Sequence, residues 1–69
     1  MTSNQNFEQS KTLIKSGQWN DAIPFLQKTL TTEPNNSNAY YLLGQCHRFT
    51  NQIELAIDFY ENAINLDSS

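Results

Sequence analysis

The sequence predicts an all-α protein of two stacked antiparallel helical hairpins, four helices in all. Three observations carry this reading. The second half repeats the first at an offset of 34 residues, and six of the 35 overlapping pairs are identical where chance would give roughly two. Apolar residues recur at three- and four-residue spacing in both halves, and the alternation a strand would need is absent. Turn residues fall between the periodic stretches, with Gly17 and its offset equivalent Asn51 inside the two halves and Pro34 between them. A period of this length is one helical hairpin, too small to bury its own apolar face, so the two must stack. The first repeat covers about residues 3–36 and the second about 37–69.

Each element follows from local chemistry. Thr2, Ser3 and Asn4 offer capping oxygens, and Thr2 with Gln5 fits a capping box. The first helix then runs to about Ser16 on Phe7, Ser10, Leu13 and Ile14, and Gly17 ends it because glycine enters the left-handed region without steric cost. Asn20 is positioned to cap a second helix carrying Ala22, Ile23, Phe25, Leu26, Thr29 and Leu30. Pro24 fits there only within the first turn, where its missing N–H is not needed. Asn36 or Ser37 caps a third helix over about Asn38–Thr50. That helix is apolar on most sides, which marks it as the surrounded, central element. Asn51 replaces Gly17 as the left-handed residue, and a fourth helix spans about Glu54–Leu66.

Composition narrows the function classes. The chain has 69 residues, 38% apolar and 16% charged, with a net charge of −3. This acidic balance argues against a nucleic-acid partner, which would call for a basic excess. No apolar run approaches the ~18 residues of a membrane span. The N-terminus has neither the basic start nor the apolar stretch of a secretory signal. With one cysteine, Cys46, no internal disulfide can form, and a reducing, cytoplasmic location is expected.

The second repeat resembles the tetratricopeptide repeat, whose signature is W-x2-L-G-x2-Y, then A-x3-F, then P. Here the signature reads Tyr40-x2-Leu43-Gly44-x2-His47, then Ala56-x3-Tyr60, then Ser68. The first repeat is looser: Asn6-x2-Gln9-Ser10-x2-Leu13, then Ala22-x3-Leu26, then Pro34. The resemblance implies an α-solenoid fragment in which the first helix of each hairpin lines a concave groove for a peptide or helix. Carried over by position, it places Asn4, Phe7, Lys11, Ile14 and Lys15 on the groove, with Asn38, Tyr41, Gln45, Arg48 and Phe49. It also disfavours the chaperone-tail clamp known in that family, because Glu8 and Leu42 stand where the clamp uses asparagines.

Charge supports such a groove from a separate direction. The first-of-pair helices hold Lys11, Lys15 and Arg48 against Glu8, summing to +2. The second-of-pair helices and their ends hold Lys28 against Asp21, Glu33, Glu54, Asp58, Glu61 and Asp67, summing to −5. A basic, aromatic-bearing face suits an acidic or carboxylate-terminated peptide, with Arg48 as the fork-shaped donor. We therefore expect a protein-interaction module, an adaptor or assembly scaffold with no catalysis, cofactor or metal. The rival is a regulatory or substrate-recruiting segment of a larger enzyme, and a plain four-helix bundle is a third reading. Along the last helix, Leu55, Phe59, Ala63 and Leu66 form an apolar strip whose first-repeat counterparts are mostly more polar. This strip predicts a homodimer or higher oligomer.

Other residues read as structural. Cys46 and His47 point about 100° apart on a helix, so they cannot act as nucleophile and base, and one of each falls short of a zinc site. Glu54, Asp58 and Glu61 read as a solvated face. Asn35-Asn36-Ser37 reads as a turn and cap, and Trp19 as a plug between helices.

Overall fold

A computed structural model describes residues 3–67, with side chains described from Gln5 onward. The expected cap at Thr2 and the motif position at Ser68 lie outside the described residues, as do the side chains of Ser3 and Asn4. The chain forms α1 (Ser3–Lys15), α2 (Trp19–Thr32), α3 (Ser37–Phe49) and α4 (Ile53–Asp67). The starts of α3 and α4 lie 34 residues beyond those of α1 and α2, so the sequence period is also the structural one.

The same backbone device closes both hairpins. Gly17 and Asn51 take φ values of 75° and 71°. Beside them, Gln18 N–H donates to Leu13 C=O at 2.9 Å and Gln52 N–H to His47 C=O at 2.7 Å. Gly17 N–H bonds Ile14 C=O at 3.0 Å, and Asn51 N–H bonds Arg48 C=O at 3.2 Å. These are two Schellman motifs, each satisfying carbonyls that a helix end would otherwise leave open. Thr50 reinforces the second, its hydroxyl donating to Cys46 C=O at 2.8 Å.

Between the hairpins, Asn36 caps α3 by accepting from Ala39 N–H at 3.0 Å. The start of α2 differs from the sequence expectation. Its N-cap is Gln18, not Asn20, and no side chain supplies a capping bond. The tight turn leaves only one residue between Gly17 and the start of α2, so Gln18 serves both motifs at once. Its N–H closes the turn while its C=O accepts the first bond of α2, from Ala22 at 3.2 Å. Pro24 therefore lies inside α2, past the first turn. Its missing N–H would have met the carbonyl of exposed Asn20, where water can take the place of the lost donor.

Packing runs in sequence, α1 on α2, α2 on α3 and α3 on α4, and α1 with α4 is not a packed pair among the described residues. That order is a stack of hairpins, not a closed four-helix bundle. Helix α3 is the central element, as its apolar girth predicts. The core is Ala22 and Leu26 from α2 meeting Ala39, Leu43 and Cys46 from α3, all at most 1% exposed. Phe7, Leu13, Ile14, Trp19, Ile23, Leu30, Leu42 and Phe59 pack around it. In α1, Asn6 stands at the position Tyr40 occupies in α3, and its Oδ1 is buried with no hydrogen-bond partner among the described residues. The first hairpin is thus the less well satisfied of the two.

Gly44 sets the spacing within the second hairpin. A Cβ at this position would lie 2.7 Å from Cδ1 and Cε1 of Tyr60, inside van der Waals contact. We expect Gly44→Ala to force the ring aside and lower stability by ~1–3 kcal/mol. In a Tyr60→Ala background the same change should cost clearly less. Urea denaturation of the four proteins of this cycle checks the coupling; additive losses would show that the close approach does not matter.

Candidate functional site

Two of the clefts on the surface share Tyr41. The first, of about 210 Å³, is lined by Phe7 and Lys11 of α1 and by Asn38, Tyr41 and Leu42 of α3. It exists because α3 packs on α2 beside α1, leaving the two first-of-pair helices side by side. Tyr41 is 48% exposed. Its hydroxyl accepts from Gln45 Nε2 at 2.8 Å, which holds the phenol in place along the helix. Lys11 pairs with Glu8 at 3.0 Å, and its ammonium lies 5.0 Å from the Phe7 ring centroid. An exposed pair of this kind is weak and exchanges readily for a stronger anion.

The structure distributes the expected groove residues unevenly. Phe7, Lys11 and Tyr41 line the first cleft. Gln45 is bonded to Tyr41, and exposed Arg48 lies seven residues beyond Tyr41, on the same helical face. Ile14 is half-buried and packs against the core, while Lys15 is exposed. Phe49 has a different occupation. Its ring stacks on Trp19 with centroids 4.5 Å apart and planes 17° from parallel, and Arg48 Cζ lies 5.3 Å over it. Phe49 therefore holds the tip of α3 to the start of α2 while remaining 54% exposed.

The second cleft, of about 320 Å³, lies between the start of α3 and the end of α4. Ser37, Asn38, Tyr41, Tyr60, Ala63, Ile64 and Asp67 line it. Here the structure corrects the reading of α4. Of the strip Leu55, Phe59, Ala63 and Leu66, only Leu55 is exposed; Ala63 is 8% exposed, and Phe59 and Leu66 are half-buried. Phe59 faces α3, stacked on His47 at 5.2 Å and 6.2 Å from Tyr40. The open apolar residues lie on the neighbouring stripe, Ile53, Ile57 and Ile64, with Tyr60 between them half-buried against Gly44 and Tyr41 of α3; sequence reasoning passed this stripe over. A signal for it was present: its equivalents 34 residues earlier are Trp19, Ile23, Leu26 and Leu30, all apolar.

Nothing among the described residues groups three or more His, Cys, Asp or Glu side chains around a metal-sized space. No helix among them is long and apolar enough to cross a membrane. His47 lies flat on Phe59, with Nδ1 2.6 Å from Gln52 Oε1. It thereby ties α3 to the turn that follows. Residues 13–68 match the family model described as Tetratricopeptide repeat.

Cys46 is fully buried in the α2–α3 seam, and burial alone pushes its thiol from 9.0 up to about 11. The native protein should resist thiol reagents at pH 8, where an unfolded chain reacts. Because the folded value is raised, the contribution of this group to stability is complete below about 9 and lost as pH rises through about 11. A native-state labelling rate that matches the denatured rate at pH 8 would contradict this burial.

Proposed function

The chain belongs to the tetratricopeptide repeat family, a protein-interaction repeat, and we propose that its α1–α3 face binds an acidic peptide segment of another protein. The observation that carries this reading is the coincidence of a cleft with the basic side of an acidic molecule. Helices α1 and α3 hold Lys11, Lys15 and Arg48 against Glu8, whereas α4 holds Glu54, Asp58, Glu61 and Asp67 with no Lys or Arg. Phe7 and Tyr41 provide apolar walls in the cleft, and Lys11 provides a cation at its edge.

The division of work follows from side-chain chemistry. Lys11 is a mobile point charge, already neutralised by Glu8, that turns toward a ligand carboxylate when one arrives. Arg48 presents a planar fork whose position is steadied by the Phe49 ring beneath it, suiting bidentate carboxylate recognition. Gln45 and Asn38 lie close by to meet a peptide backbone, which an extended ligand must satisfy at each residue. An assembly or adaptor role then follows, since the chain would join partners without transforming them.

The test is a pull-down compared between the wild type and Lys11→Glu/Arg48→Glu, followed by titration of the captured partner's segment. Each lost charge-assisted bond is worth ~1.5–3 kcal/mol, so affinity should fall by roughly tenfold or more per site. Binding should also weaken with added salt. Unchanged capture by the double variant would remove the basic face from the account.

A further inference from the structure

Hairpin two carries, open except at Tyr60, whose ring is half-buried against Gly44 and Tyr41, the surface that hairpin one uses to hold α3. On α2, Trp19, Ile23, Leu26 and Leu30 pack against or within the core, Leu26 being 0% exposed, and Trp19 stacks on Phe49. On α4 the residues 34 positions later are Ile53, Ile57, Tyr60 and Ile64. Ile53 is 50% exposed, Ile57 49% and Ile64 64%. The stripe is continuous with the cleft lined by Tyr41, Tyr60 and Ile64. Its geometry is that of an interface already present in the molecule, so the occupant it fits is a helix. The spacing from Ile53 to Ile64 repeats that from Trp19 to Leu30, the surface on which a helix already packs.

What such a helix must look like can be read from α3. The residues α3 turns toward α2 include Ala39 and Cys46, both fully buried, with Leu42 packed on the core and Phe49 on Trp19. That is a small, leucine, small, aromatic face at i, i+3, i+7 and i+10. The flanks of the seat are acidic. Glu54, Asp58 and Glu61 are exposed along one side of the stripe, Asp67 lines the cleft at its end, and α4 has no Lys or Arg.

These features argue against a second copy of this chain. The α1 positions equivalent to Ala39, Leu42, Cys46 and Phe49 are Gln5, Glu8, Thr12 and Lys15, all exposed. Helix α1 therefore lacks the docking face of α3, and a head-to-tail stack has no apolar counterpart. Two α4 helices placed face to face would bring eight carboxylates together with no cation between them.

We propose that the Ile53–Ile57–Tyr60–Ile64 stripe is a second docking surface, separate from the α1–α3 cleft, for a basic amphipathic helix of another protein. The helix seats its small-and-leucine face on the stripe, and its flanking Lys or Arg residues meet Glu54, Asp58 and Glu61. It would enter as α3 enters on α2, continuing the stack in trans.

The probe is a synthetic helical peptide with Ala, Leu, Ala and Phe at i, i+3, i+7 and i+10 and Lys on the flanking positions, titrated into the full chain. Methyl and aromatic NMR signals should shift saturably at Ile53, Ile57, Tyr60 and Ile64. Affinity should fall at least tenfold for a matched peptide with Glu in place of Lys, and also for an Ile57→Glu/Ile64→Glu variant. The Lys11→Glu/Arg48→Glu protein should bind the peptide as well as wild type, which separates this proposal from the groove reading. Shifts centred on Phe7 and Lys11 would overturn it, as would the absence of saturable shifts. A concentration-dependent dimer, with shifts at the same four residues and no peptide added, would also overturn it by making a second copy the occupant.

Discussion

The seam between α2 and α3 is the interaction on which the rest of the molecule depends. A 34-residue hairpin cannot remove enough apolar surface from water to offset the entropy of ordering its own chain. Here Leu26 of α2 closes against α3, with Ala22, Ala39 and Cys46 small enough to let the helices approach. Trp19 stacked on Phe49 fastens the same seam at one end. The stacking also decides what is left for function. It sets α1 beside α3 to form the Tyr41 cleft, and it spends the apolar face of α2 while leaving the equivalent face of α4 open.

The two ends of the stack are therefore chemically unlike. Helix α1 shows water Gln5, Glu8, Thr12 and Lys15, a polar surface. Helix α4 shows Ile53, Ile57 and Ile64 beside a row of carboxylates, an apolar surface bordered by charge. The lateral faces divide in the same manner, cationic along α1 and α3 and anionic along α4. A molecule of this size has little charge to arrange, and it is segregated by helix. That segregation gives the molecule two surfaces of opposite sign.

Much of this was legible in the residues. The offset of 34, the left-handed positions at Gly17 and Asn51, the Asn36 cap and the central place of α3 all come from local chemistry that the chain states directly. Three features were not legible, for identifiable reasons. Asn20 is a good capping residue, but the Schellman turn at Gly17 leaves only Gln18 free to begin α2, and turn geometry overrides capping preference. On α4, apolar residues cover more than half the circumference, so periodicity alone cannot say which stripe meets α3. Phe59 and Ala63 take that side because Gly44 admits Tyr60 and His47 stacks on Phe59. The Phe49 stack on Trp19 escaped notice because it joins residues 30 apart through packing, not through any motif.

The most direct test of the account is residue-resolved hydrogen exchange on Leu26→Ala, which empties the middle of the seam without touching α4. Truncating a buried leucine costs ~2–5 kcal/mol, against a total of about 3–10 kcal/mol for a chain of this length. If the seam holds both hairpins, protection in α1–α2 and in α3–α4 should fall together and by similar factors. Loss of protection confined to the first hairpin, with α3 and α4 still protected as in wild type, would contradict the claim that neither hairpin stands without the other.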